Sequence, residues 1–203
     1  MHISEGVLSA PVMISGAALT AVGTAVGLKK LDYDKIPQAA MLASVFFLAS
    51  LVHVPVGPSA MHLVLNGLLG LILGWAAFPA ILIGLALQAV LFQFGGLTGL
   101  GVNTVNMALP AVISYYLFGR LARGENQTLA LAAAFMAGAT GIILSGLMVG
   151  ISLFFTGESF LIAAQAVVAA HIPVMIVEGL ITLALVSFLR KVKPEVLHAT
   201  VSG

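Results

Sequence analysis

Histidine stands second in the chain, directly behind Met1. With a free amine on Met1, that placement makes a chelate. The α-amino nitrogen, the His2 amide nitrogen and the imidazole Nδ1 can grip one ion together. Amine and amide close a five-membered ring, amide and Nδ1 a six-membered one. Three nitrogens then share a plane and leave a fourth equatorial corner open. Square-planar nitrogen coordination suits Ni(II) and Cu(II), whereas tetrahedral nitrogen and sulfur sites suit Zn(II). A second imidazole from the same membrane face would complete the plane, and His62 and His53 are both candidates. We favour His62, expected to open a helix at the membrane rim with Asn66 and Gly67 one turn on; His53 precedes Pro55 near the end of the helix before. A bulky second residue such as His2 generally blocks removal of the initiator methionine, so the amine is expected to remain. The bland alternative is that position two is occupied by chance and that a helix-end histidine meets a carbonyl or the headgroups.

These residues need a scaffold, and composition says which kind. Of 203 residues 61% are hydrophobic and 7% charged, with a mean hydropathy of +1.16; a soluble domain is about a quarter charged. So few charges cannot cover a water-exposed surface, and lipid must be the main solvent. The net charge of +1, with no basic tract, gives no support for nucleic-acid binding. The absence of cysteine excludes disulfides, thiolate metal sites and thiol catalysis. His2 and Glu5 are the only titratable side chains before Lys29, so the start lacks a basic signal-peptide region and reads as a first transmembrane helix.

Apolar runs of ~20 residues, the length that crosses a bilayer, fall at about Val7 to Leu28, Pro37 to Val54, Met61 to Ala77, Pro79 to Phe94 and Val105 to Phe118, then in two longer tracts, Gln127 to Phe155 and Phe160 to Leu189. The expectation is an all-α, polytopic transmembrane bundle of about seven helices, six being the alternative, forming one domain over residues 1–203. All eight basic residues sit in three places: Lys29, Lys30 and Lys35; Arg120 and Arg123; Arg190, Lys191 and Lys193. Seven crossings put all three on one side, which the positive-inside rule assigns to the cytoplasm. The N-terminus is then outside and the C-terminus inside a multi-pass protein of the cytoplasmic membrane. The outer face collects Met1, His2, Glu5, the His53 to His62 loop, the Gly95 to Asn103 loop and Glu158, without a lysine or arginine to repel a cation.

Asn66, Gln93, Asn103 and Asn106 lie at or below that rim. They could orient His2 and His62, since ligand imidazoles need a partner on the other ring nitrogen; equally, they could cap helix ends and loop carbonyls. His171 and Glu178 are seven apart and share a helical face. Glu178 is expected on the cytoplasmic half, far from His2 and His62, and the pair reads as interhelical structure or partner coupling before metal binding. Ala17, Ala21 and Ala25 recur at spacing four on the first helix, a pattern that allows close helix approach in lipid, within the chain or to a partner.

The opening Met1-His2-Ile3-Ser4-Glu5-Gly6-Val7-Leu8-Ser9 resembles the start of the CbiM/NikM family, the metal-binding membrane subunits of cobalt and nickel energy-coupling-factor transporters, which belong to the ABC class. His62-Leu63-Val64-Leu65-Asn66-Gly67-Leu68, Phe92-Gln93-Phe94-Gly95-Gly96-Leu97, Gly101-Val102-Asn103-Thr104-Val105-Asn106-Met107 and His171-Ile172-Pro173-Val174-Met175-Ile176-Val177-Glu178-Gly179 are similar too. In some members the second histidine lies in a Cys-Ser-His-Pro-Thr segment, where this chain reads Pro58-Ser59-Ala60-Met61-His62-Leu63. The resemblance implies transport of Ni(II) or Co(II), in some members for cobalamin biosynthesis. It implies metal held by the N-terminal amine, His2 and a histidine that maps onto His62. It implies four parts: this subunit, a transmembrane coupling protein docked on a small-residue helix face, ATPase subunits and a small accessory membrane protein. It also implies reorientation of the whole subunit to release the ion inside.

The chain carries no Gly-x-x-x-x-Gly-Lys loop to cradle nucleotide phosphates, so ATP-driven transport borrows a separate ATPase. The expectation is therefore a transport subunit rather than an enzyme, with no organic cofactor. An intramembrane metalloenzyme is the less favoured alternative, for lack of a His-Glu-x-x-His pair. An autonomous ion-coupled carrier would normally show mid-membrane carboxylates, and Glu178 stands alone. Square-planar nitrogen leans towards nickel, but the same donors bind cobalt.

Overall fold

The computed structural model describes residues 2–56 and 59–198, with the side chains of 53–56, 59–61, 158 and 198 left out. Met1 thus lies outside the described residues. The elements run β1 (His2–Ile3), α1 (Ala10–Lys29), α2 (Ile36–Ala49), β2 (His53–Val56), β3 (Ser59–His62), α3 (Asn66–Leu73), α4 (Ala77–Phe92), α5 (Leu100–Ala122), α6 (Gln127–Thr156), α7 (Leu161–Val192) and α8 (Glu195–His198), with short 3-10 turns at Tyr33–Lys35, Gly74–Ala76 and Glu158–Phe160. Seven of the described helices have eight residues or more. By length and apolar composition alone, four helical stretches qualify to span a membrane: Ala10–Lys29, Asn66–Phe92 (which turns back at Gly74), Gln127–Thr156 and Leu161–Val192. The protein is a multi-pass membrane bundle.

A small antiparallel sheet, in the order β1-β3-β2, adds to the expected helices. It shortens two of them. The second helix stops at Ala49 instead of reaching Val54, and the third starts at Asn66 instead of Met61. The reason is local: Val54 and Val56 are β-branched, and Pro55 lacks an N–H, which an edge strand tolerates and a helix interior does not. His62 therefore ends a strand and does not open a helix.

One passage decides where the ends of the bundle lie. His62 packs on His2, and His2 lies beside Phe94. Between them, Trp75 and Pro79 press on Gly27, near the Lys29 end of α1. The chain from His62 to Phe94 thus crosses to the far end and returns, turning at Gly74, whose φ of +55° is left-handed. The far end is basic. Arg123 donates to the Leu71 and Leu197 carbonyls (2.7 and 2.8 Å) and Arg190 to those of Ala122 and Gly124 (both 2.9 Å). Between the ends sits a core of Phe46, Leu69, Leu71, Ile81, Leu85, Met107 and Ile142.

Helix α3 is the most enclosed element, with all eight residues buried. At ~12 Å it is too short to cross a bilayer of ~30 Å alone. The non-helical residues 63–65 lead into it from His62. Its ends are satisfied from other helices: Glu178 of α7 accepts from Val64 and Leu65 N–H just before its N-terminus, and Arg123 donates to Leu71 in its last turn. An acidic group at the start and a basic group at the end both complement the helix dipole.

Candidate metal centre

β1 is two residues long and could not hold His2 by itself. It is gripped on both edges. On one, His2 and Ile3 stand opposite Ala60 and Ser59 of β3. On the other, Asn103 imitates a neighbouring strand: Ile3 N–H donates to Asn103 Oδ1 at 2.9 Å, and Asn103 Nδ2 donates to Ile3 O at 3.2 Å. Asn103 sits in the first turn of α5, and Ile3 is fully buried with Leu8, Val102, Val149, Leu153 and Val167. The approach to α5 bends tightly through Gly95 and Gly96, with φ of +72° and +66°. A Cβ on Gly95 would lie 2.7 Å from Asn103 Nδ2 and 3.0 Å from His2 Cβ, so only glycine fits there.

The two favoured histidines meet. Their ring centroids are 4.5 Å apart at 26°, and each residue is 3% exposed. Phe94 shields the His2 ring at 6.1 Å. His62 Nδ1 lies 2.7 Å from the Leu63 carbonyl oxygen. A carbonyl only accepts, so Nδ1 carries the proton and Nε2 carries the lone pair. The Leu63 carbonyl thus fixes the direction of the His62 ring. Among the described residues no three His, Cys, Asp or Glu side chains cluster as a metal site. The chelate asks for only two such side chains, with its other donors on the backbone.

The remaining residues are distributed as follows. His53 stands opposite His62 in the β2–β3 ladder, and its side chain lies outside what is described. Asn66 is fully buried, its Nδ2 within 3.2 Å of the Met107 and Gly141 carbonyls and 2.8 Å of Ser145 Oγ, so it ties α3 to α5 and α6. Asn106 accepts from Ser152 Oγ at 3.3 Å. Gln93 is exposed and ends α4 in a left-handed conformation. Ala17, Ala21 and Ala25 are exposed, while Gly16, Thr20, Gly23 and Gly27 form the buried side of α1. His171 is buried against Gly146 of α6, with Nδ1 2.6 Å from the Val167 carbonyl.

Glu178 departs from expectation. Its carboxylate does not sit far from the histidines but reaches Val64 and Leu65, two and three residues after His62. Two features bring this about. Glu178 lies near the middle of the 32-residue α7, and residues 63–65 are not helical, which leaves their N–H groups free to meet its carboxylate. An ionisable residue inside a span is the signal that marks it.

The family model described as the cobalt uptake substrate-specific transmembrane region matches residues 2–196. The chain belongs to this family. A Haemophilus influenzae protein named for metal transport is 43% identical over 202 residues, covering 98% of both chains. The fused nickel transport protein NikMN of Rhodobacter capsulatus is 28% identical over 97% of this chain and 64% of its own length. A truncated transition metal transporter of known crystal structure superposes with a TM-score of 0.74 at 26% identity, covering 94% of this chain and 99% of that one. Membership of the cobalt uptake family makes this protein a membrane component of cobalt or nickel transport.

Proposed function

We propose that this chain is the substrate-capture subunit of an energy-coupling-factor importer for Ni(II) or Co(II). The ion is held by the Met1 amine, the His2 amide and Nδ1, and His62 Nε2. One observation carries the reading. In the chelate the open corner lies opposite the amide nitrogen and next to His2 Nδ1, so the second imidazole must be an adjacent neighbour. Two imidazoles on adjacent corners, each nitrogen ~2.0 Å from the metal, put their ring centres ~4.4 Å apart. The His2–His62 separation of 4.5 Å is close to that figure; the rings are stacked at 26°, so one of them turns to aim both nitrogens at the same ion.

The positive-inside rule turns the basic end towards the cytoplasm and the sheet outward. A cation then meets the His2 end first. Asn103 fixes the strand that carries the chelate, and Asn66 anchors the helix that follows His62. Release inside follows reorientation of the subunit, driven by a transmembrane coupling protein docked on Ala17, Ala21 and Ala25. The exposure of those alanines supports that surface. ATP hydrolysis belongs to separate ATPase subunits, and a small accessory membrane protein completes the assembly. The subunit captures its ion and catalyses nothing.

The assignment of the fourth corner is tested by comparing His62→Ala with His53→Ala in Ni(II) titrations of the detergent-purified chain. Loss of tight binding in His62→Ala alone is expected. Loss in His53→Ala alone would move the fourth ligand to β2.

A further inference from the structure

The peptide group between Leu63 and Val64 is held on both sides. Its carbonyl accepts the His62 Nδ1–H at 2.7 Å, and its N–H donates to Glu178 Oε1. The next N–H, of Leu65, lies 3.1 Å from Glu178 Oε1 and 3.0 Å from Oε2. A peptide is a rigid plane, so whatever fixes its N–H fixes its carbonyl. We infer that Glu178 is a positioning residue for the metal site, acting on His62 through the Leu63–Val64 peptide.

The chain of contacts reads carboxylate, peptide, imidazole. It does the work that a carboxylate bound directly to a ligand histidine does in other metal sites: it sets the ring's tautomer and direction and makes the ligand nitrogen more basic. Hydrogen bonds in series polarise one another, so the acidic end strengthens the bond at the ring. Leu65 shows how firmly the segment is held. Its φ is +55°, a left-handed conformation that a leucine rarely takes. That conformation turns the chain from the segment held by Glu178 into α3, for which Leu65 is the capping residue. Glutamine is a weaker substitute for Glu178 here. It offers one acceptor oxygen and turns an NH2 group towards a donor.

Glu178 is 0% exposed and follows His171 by two helical turns on the buried side of α7. The backbone of α7 is also wedged against α6: a Cβ on Gly138 would lie 2.6 Å from the Glu178 carbonyl oxygen. Tilt or rotation of α7 therefore moves the carboxylate, and with it the peptide that aims His62. The inference rests on His62 being a metal ligand.

The test is a double-mutant cycle on the full chain in detergent, with Ni(II) affinity and the visible absorption of bound Ni(II) as readouts. Glu178→Gln alone is expected to weaken binding ~10–100-fold and to shift the absorption towards that of His62→Ala. In the His62→Ala background, Glu178→Gln is expected to cost nothing further, because its target ring is gone. An equal loss in both backgrounds would overturn the positioning role while leaving the ligand assignment standing. No loss in His62→Ala itself would overturn the ligand assignment and the role of Glu178 with it. If Glu178→Gln does not fold, Glu178→Asp, which keeps both oxygens but withdraws them, serves in the same cycle with the same expectations.

Discussion

The Asn103 side chain closes both hydrogen bonds on the Ile3 backbone, at 2.9 and 3.2 Å, one hundred residues away in sequence. A two-residue strand beside a chain terminus would otherwise fray. The amide thus fixes the strand that carries His2. Asn103→Leu keeps the approximate volume and removes both bonds, leaving a buried N–H and C=O unpaired at about 1–3 kcal/mol. Ni(II) binding is expected to weaken ~10-fold or more, with far-UV circular dichroism unchanged. Titration of the purified variant checks it.

Gly95 and Gly6 form a natural comparison. Both have positive φ, +72° and +79°, but a Cβ on Gly6 meets nothing within 4 Å, whereas one on Gly95 collides with Asn103 and His2. Gly6→Ala is expected to cost only left-handed strain, ~1–2 kcal/mol. Gly95→Ala is expected to add a displacement of His2, and so a larger loss of metal affinity. Equal affinity for Ni(II) in the two variants would contradict the tight packing of the Gly95 turn on the chelate.

Arg123 joins α5 to the C-terminal ends of α3 and α8 through the Leu71 and Leu197 carbonyls. Lysine cannot make both bonds with a planar fork. Arg123→Lys is expected to lower the apo melting temperature in detergent while leaving Ni(II) affinity within about twofold, since the contact stabilises the end away from His2 at a typical 1–3 kcal/mol.

Orientation and docking can be read from the same cysteine-free background. Leu97→Cys, at an exposed position near the Gly95 turn, is expected to react with an impermeant thiol reagent from outside intact cells. Lys193→Cys is expected to react only after lysis. Ala21→Leu is expected to abolish co-purification with the coupling protein while Ni(II) binding to the isolated chain persists.

The helices were legible because apolar length is a direct demand of the bilayer. Their ends from Gln127 onward agree within about three residues, where no strand competes. The sheet was not legible. Val54 and Val56 read equally well as the end of an apolar helix, and β1 is too short for any alternation to show. The His2–His62 pairing was readable from chelate chemistry and family resemblance. Glu178 was misplaced because residues 63–65 were taken as helix; outside a helix, the Val64 and Leu65 N–H groups reach its carboxylate. Asn103 drew attention as an amide near the rim, but a side chain that imitates a strand leaves no periodic signal.

The most direct measurement compares Ni(II) binding to the wild-type chain, to His2→Ala and to a variant with one residue added before Met1. The extension keeps every side chain and moves only the free amine. The chelate predicts that it abolishes tight binding as fully as His2→Ala does. Normal binding by the extended chain would remove the amine from the ligand set and contradict the N-terminal site.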